Sequence, residues 1–545
     1  MTVQPGGAYS ISAQSPDWTF SGNIGHVLTN IVMHRGSDTI DSFTEITFNY
    51  QAGSGRSGGI RIYDSKPIVL FTDTYLADAS NNTPFPHLTT YPQHLYHLSY
   101  AGAFAQYTFR SGADESPRLY FDDHYNAFLL SPASHFMIAS IRQAADGSIS
   151  SGINAGIQSL PQGFSHKTFL IIQHGINNTY ETWGHAMTDL QGKTRPANDA
   201  TPLLNYLGYW TDNGATYYYQ FLPAKGYVGT LLAVRDSFRQ QGIPLGYMQL
   251  DSWWYPKGSS DTWMGDKSND RGGIFTYSAD PTIFPGGLQA FQRQLGLPLI
   301  THARWIDPNS PYRQRYAMSN NVSTDPRYWN AIADYLKHGG VIMYEQDWLD
   351  HRAVPAMNLY DPGAFMDNMA SAMANHGITM QYCLALPRFF LQSSKYNNLT
   401  TIRVSNDRFQ RNRWDAFLYT SRLAGALGVW PWTDVFMSTE TNNLLLSTLS
   451  AGIVGIGDPI DTESKDNLLQ TVRADGVIVK PDVPIVPPDP MYVQDAQGLD
   501  TPMIASTYTD HEGMKALYVV AYKRGQNTTA TFAPTELGHR KGLRL

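Results

Sequence analysis

Hydrophobic and polar positions alternate with a period of two along roughly the first 190 residues, the pattern of strands half-buried in a sheet. Runs such as FTEITFNYQ, GGIRIYD, PIVLFTD, PRLYFD and HFMIASIRQ carry this alternation, and clusters of Gly, Asn, Asp and Ser separate them. No helix-period stretch interrupts the series, so an antiparallel β-sandwich is predicted. Its closing run, residues 167–173, leads into NNTYETWGHAM, which reads as the start of a helical linker.

From about residue 203 the rhythm changes to strand, loop and helix. Eight apolar runs end in polar or aromatic residues: LLNYLGYW, IPLGYMQLD, LPLITHARW, GVIMYEQD, GITMQYCLA, LTTIRVSND, LGVWPWTD and AGIVGIGD. Helical stretches lie between them. Asp325-Pro326 supplies an N-cap and a first-turn proline, with Trp329, Ile332, Ala333 and Leu336 on one face. Asp361-Pro362 repeats the device, with Phe365, Met369 and Met373 as the stripe and Gly377 as the stop. Stripes of this kind are core. Eight β/α units over roughly 255 residues match a (β/α)₈ TIM barrel. The remainder, Pro-rich KPDVPIVPPDP followed by ALYVVAY and TTATFA, reads as a linker and a small C-terminal β domain. The expectation is a multidomain chain: a β-sandwich over residues 1–190, a catalytic (β/α)₈ barrel over 191–475, and a linker with a small β region over 476–545.

Barrel enzymes carry their chemistry at the C-terminal ends of the strands. Those ends here hold Asp212, Asp251, His302 with Trp305, Glu345 with Asp347, Asp407, Asp434 and Asp458. A single loop aspartate is ordinarily just solvated, but carboxylates recurring at one register are not expected of a solvated rim. With tryptophans interleaved, they admit two chemistries. One is glycoside chemistry, with two carboxylates at work and the others accepting hydrogen bonds from sugar hydroxyls. The other is a metal site built from His302, Asp251 and Glu345, although a metal barrel usually offers more than one histidine at its rim. No metal and no cofactor is predicted.

Four of these segments resemble a known group. LGYWTDNG is similar to the first-strand motif of raffinose synthases, and IPLGYMQLDSWWY to their second-strand motif. SSKYNNLTTIRVSNDRF resembles the sixth-strand motif, in which Arg, Ser and Asp precede an aromatic, and VWPWTDVF a seventh-strand motif. GFSHKTFLIIQHG leading into a Trp-Gly helix also resembles the sandwich domain of that group. The resemblance is to the clan of retaining α-glycosidases that contains α-galactosidases and raffinose synthases.

It implies Asp347 as the nucleophile, in the position of a Lys-x-Asp motif, and Asp407 as general acid/base, held protonated at rest. The motif's lysine is replaced by Glu345, an acceptor in place of a donor, which implies a different hydroxyl pattern in the substrate. Arg403 is implied to hold a hydroxyl beside the acid/base. Period-two alternation would turn Arg403, Ser405 and Asp407 to one side, and Arg408 would act on a neighbouring carboxylate if it pointed there. Asp251, Asp212, Trp210, Trp253, Trp254 and Trp305 would form the sugar pocket, with some of the tryptophans packing between barrel and loops instead, and His302 behind it. Asp434 is counted with the binding residues, and both Asp434 and Asp458 are candidates for merely capping loops. Hydrolysis of an α-glycoside leads. Glycosyl transfer to a sugar acceptor, a metal-dependent hydrolase and an inactive carbohydrate-binding relative remain as alternatives.

Composition changes this picture little. Aromatics reach 13%, with 33 Tyr and 12 Trp, and charged residues only 16%. Rings with a polar handle suit sugars and β-rich cores equally. The net charge of −7 gives no reason to expect nucleic acid. A membrane span takes about 20 apolar residues in a row, and no such run exists. The N-terminal residues lack a signal-peptide pattern, and the single Cys383 excludes an internal disulfide. The expected partner is an oligosaccharide or glycoside substrate, with no nucleic acid and no membrane. Homo-oligomerisation and localisation are left open.

Overall fold

The computed structural model describes residues 1–80, 83–110, 112–259 and 272–537. The N-terminal part forms two antiparallel sheets of six and nine strands. Phe20, Phe48, Phe71, Phe85, Phe128 and Leu170 meet between them. Two central strands, Asn126–Pro132 and Ser165–His174, are apolar on both faces. Phe128 and Leu130 face the six-stranded sheet, while Leu129, Phe169 and Ile171 pack with Tyr180, Trp183 and Met187 of helix α1 (Ile176–Gln191). That is why residues 167–173 read as a continuous apolar run: a strand covered on both faces loses its alternation. The helical linker is therefore a packed helix. It joins the sandwich core to the next layer.

The eight apolar runs predicted as strands all fall in one parallel sheet. Its strands are β1 (Gly208–Tyr209), β2 (Tyr247–Leu250), β3 (Leu299–Ala303), β4 (Val341–Gln346), β5 (Thr379–Tyr382), β6 (Leu399–Arg403), β7 (Trp430–Trp432) and β8 (Gly455–Ile456). They lie in chain order, except that β8 pairs with β1. A parallel bridge between Phe436, just past β7, and Ile456 of β8 links the two outer strands.

Helices alternate with the strands: α2 (Gly226–Gln241), α3 (Gly287–Leu295), α4 (Pro326–His338), α5 (Asp361–Asn375), α6 (Pro387–Ser393), α7 (Trp414–Ala426) and α8 (Thr441–Leu449). Asp325 caps α4 as expected, its carboxylate accepting from the Arg327 amide at 2.9 Å. Asp361 does not cap α5. It is the first helical residue, its amide donates to Asn358 Oδ1 at 2.8 Å, and its carboxylate accepts from Ser319 Oγ at 2.6 Å. The apolar stripes of both helices are buried.

The Pro-rich segment is no free linker. Ile485 is fully buried and donates to Leu449 O at 3.1 Å, and Val486 bridges Ser506. A two-stranded hairpin follows, Met503–His511 with Met514–Tyr522. The TTATFA run forms no strand, since its alternating threonines find no neighbour to pair with among the described residues. None of the helices among the described residues is long and apolar enough to cross a membrane.

Candidate active site at the strand ends

Asp347 follows the last residue of β4, and its amide still donates to Ala303 O of β3 at 3.0 Å, so the ladder fixes the backbone at the rim. One carboxylate oxygen accepts from the Trp348 amide at 2.6 Å, and the other lies 2.9 Å from His302 Nε2. Burial by itself would raise the Asp347 pKa. The His302 hydrogen bond and charge, with Arg403 further off, outweigh it and hold the carboxyl below its usual range. His302 responds reciprocally: burial would lower its pKa, but Asp251, Asp347 and Glu345 raise it.

Glu345, expected to read a sugar hydroxyl, points the same way along β4 but sits one layer deeper. It is fully buried, and its two oxygens accept from Gln249 Nε2 at 3.2 Å and Gln381 Nε2 at 3.1 Å. Gln249 also donates to Asp251 at 3.1 Å, and Gln381 accepts from Thr401 Oγ1 at 3.1 Å. A hydrogen-bonded belt thus crosses the sheet interior from β2 to β6 beneath the carboxylates. Burial, opposed by His302, pushes the Glu345 carboxyl up to about 7. The substrate contact predicted for Glu345 is corrected here, since both oxygens are already engaged by glutamines.

A second cluster is organised by Arg403, the last residue of β6 and only 2% exposed. Its guanidinium lies 3.3 Å from Asp212 and 3.7 Å from Asp434, and also pairs with Asp407. The alternation predicted for Arg403, Ser405 and Asp407 fails, because the strand stops at Arg403. Arg403 Nε donates to the Ser405 carbonyl at 3.0 Å, and the loop carries Asp407 back onto the guanidinium. Asp407 also accepts from Asn213 Nδ2 at 2.9 Å, and its side chain is 44% exposed.

Asp434 is more than a loop cap. It is fully buried with φ of 80°, its pKa raised to about 6 by burial against the pull of Arg403, and it accepts the Arg408 amide. Burial and then Asp434 raise the Asp212 carboxyl well above its usual range, with Arg403 opposing. Arg408 turns away to Glu440 at 2.7 Å. Asp458 does cap a loop, accepting from the Ser438 amide and hydroxyl at 2.7–3.0 Å.

The tryptophans are mostly packing. Trp210 stacks on Trp432 with centroids 4.4 Å apart, and Trp253 lies flat on Tyr227 at 4.1 Å with its indole N–H on Thr211. Trp254 donates to His302 O at 3.2 Å, which braces β3 behind the histidine. These three are core supports, the packing role expected of some of the tryptophans, and for Trp254 this corrects the sugar contact predicted for it. Trp305 packs edge-on against Trp348 beside Asp347, and Arg352 lies over its ring at 5.1 Å. Asp251 is held by Ser252 and Gln249, its oxygens accepting at 2.5, 2.8 and 3.1 Å.

Among the described residues, no group of three His, Cys, Asp or Glu is placed to hold a metal ion. Four non-glycine residues adopt left-handed backbone just past strand ends: Trp348 (62°), Leu384 (50°), Arg408 (58°) and Asp434 (80°). Left-handed non-glycine backbone is a recurrent feature of functional loops. Gln249, Gln381, Asn213 and the buried thiol of Cys383 escaped the sequence reading. The two glutamines offered a signal, since buried strands rarely carry uncompensated amides.

The chain matches no protein-family model, and no curated protein matches it in sequence. Its fold is similar to that of a β-arabinopyranosidase: 9% identity over 94% of this chain and 95% of that one, TM-score 0.52. An α-N-acetylgalactosaminidase from Bifidobacterium bifidum aligns at 11% identity over 96% and 100%, TM-score 0.50. A glycoside hydrolase family 97 enzyme from Pseudoalteromonas sp. strain K8 aligns at 11% over 92% and 85%, TM-score 0.51. The fold is one that glycoside hydrolases share. At these identities the likeness is of architecture alone.

Proposed function

We propose that this chain is a retaining α-glycoside hydrolase of the α-galactosidase and raffinose synthase clan, with its parallel sheet closed as a (β/α)₈ barrel. The observation that carries the reading is the pair of Asp347 and His302, an aspartate at a strand end kept ionised although its side chain is only 13% exposed. An ionised, oriented carboxylate is what a glycosidase nucleophile requires.

Asp347 attacks the anomeric carbon as the bond to the leaving oxygen breaks, and Asp407 gives that oxygen a proton. Water then displaces Asp347 from the anomeric carbon and returns a proton to Asp407. Proton delivery requires Asp407 to leave Arg403, and its exposed side gives it room. Arg403, Asp212 and Asp251 hold sugar hydroxyls around the two. The test is a panel of nitrophenyl α-glycosides with the first-formed anomer followed by NMR. Release of the α-anomer supports the reading, and release of the β-anomer overturns it.

A further inference from the structure

Away from the carboxylate rim, a cavity of about 690 Å³ opens between α1, α7 and the Pro-rich segment. Trp430, which begins β7, lines it, whereas Asp434 lies beyond the other end of that strand. Four residues of extended chain separate the two by roughly 13 Å. The cavity therefore serves the opposite end of the sheet, and its size falls within the range of ligand sites, about 300–1,000 Å³.

Its walls select a ligand class. Glu181 of α1 pairs with Arg422 of α7 at 2.7 Å, and that guanidinium holds the carboxyl below its usual range. Arg195 is committed to the carbonyls of Gly425 at 3.1 Å and Ala426 at 2.6 Å. Both cations are thus spent, which disfavours an anion. The carboxylate of Glu181 is neutralised by its partner, and the remaining carboxylate of the wall, Asp482, is exposed to solvent and accepts from the Asp510 amide at 2.7 Å, so no buried charge awaits a cation. Hydrogen-bonding groups nevertheless stay accessible: the Glu181 side chain is 52% exposed, and half-buried Asn198, one amide N–H of which donates to Pro481 O at 2.8 Å, shares the wall. The ring of Trp430, fixed by its N–H donating to Pro196 O at 3.1 Å, and that of Tyr508 add apolar surface.

We infer that this cavity is a second carbohydrate site, taking a neutral mono- or oligosaccharide. A sugar combines hydroxyls that both donate and accept with C–H faces that lie on rings, so it suits walls of paired charges, a solvated carboxylate and aromatic rings. This inference does not depend on the activity proposed for the rim.

The experiment fills the cavity in place of dismantling it. Ala197 is exposed and lines the opening, so Ala197→Trp adds bulk while removing no contact. Titration calorimetry with galactose, glucose and raffinose on an Asp347→Ala background reads binding free of turnover. We expect one of these sugars to bind, with affinity at least ten-fold weaker after Ala197→Trp, and nitrophenyl glycoside turnover with Asp347 intact to stay within two-fold. Asn198→Ala, which keeps the Glu181–Arg422 pair, should weaken the same binding if Ala197→Trp fails to fold. Absence of sugar binding, binding untouched by either variant, or inorganic phosphate bound in preference each overturns the inference.

Discussion

His302 Nε2 and Asp347 Oδ2 lie 2.9 Å apart on adjacent strand ends, and each shifts the other toward its charged form. His302 is buried and the Asp347 side chain only 13% exposed, so the interaction is screened by solvent far less than a surface ion pair would be. His302→Gln keeps a donor but deletes the charge. The Asp347 carboxyl then rises, because burial is no longer offset, and the ionised form is reached only at higher pH. The acid limb of the kcat/KM profile is expected to move to higher pH in the variant, measured on a nitrophenyl glycoside. An unmoved limb would show that Asp347 ionisation does not gate the reaction.

Asp347→Gly is expected to lower kcat by at least about 10³-fold, in the range seen when a catalytic group is deleted. The fold should persist, since the backbone ladder to Ala303 does not involve the side chain. Added azide should restore turnover and yield a β-glycosyl azide, identified by NMR. Wild-type activity in the variant would dismiss Asp347 as the nucleophile.

The acid/base role is open to a sharper comparison. Asp407→Asn should slow glycosides with poor, alkyl leaving groups by about 10²–10⁴-fold, the usual worth of general acid catalysis. Glycosyl fluorides, whose leaving group needs little protonation, should be much less affected. Asp434→Asn removes a group already held near pKa 6 but leaves Asp407 in place. If Asp434 and not Asp407 shows this leaving-group dependence, the proton donor has been misassigned.

Glu345 makes a prediction about stability. Its folded pKa of about 7 exceeds the ordinary 4.5, so the native state binds the proton more tightly than the unfolded state. Stability attributable to it is complete below about pH 4.5 and is lost as pH rises through about 7. Glu345→Gln should abolish that loss. Relative to wild type, the variant gains on the order of 1–3 kcal/mol between pH 5 and pH 8 in denaturant melts. Glu345→Lys, by contrast, sets an ammonium against the two amide N–H donors of Gln249 and Gln381, and should cost several kcal/mol at neutral pH. A Lys variant as stable as wild type would show that the belt is not closed around Glu345.

What the sequence by itself determined was local and periodic. Period-two alternation marked the sandwich, the eight strand-loop-helix units emerged from apolar runs ending in polar residues, and Asp325-Pro326 marked the start of α4. The rim position of Asp347 followed from the end of its strand, because ladder pairing carries the backbone that far.

Past that point, side-chain direction depended on partners far off in the chain. Arg403 joins Asp212, 191 residues away, to Asp407 only because the loop after β6 turns back on itself, and period-two counting stops at the strand end. Glu345 reads as a rim residue until the depth of its layer places it between two glutamines, one from the neighbouring β5 and one from β2 across the sheet interior. Trp210, Trp253 and Trp254 suit a sugar face equally well by type, and only their packing against Trp432, Tyr227 and the β3 backbone assigned them to the core. Burial and charge at a site are sums over residues brought together by folding. A single stretch of sequence carries only its own contribution to that sum.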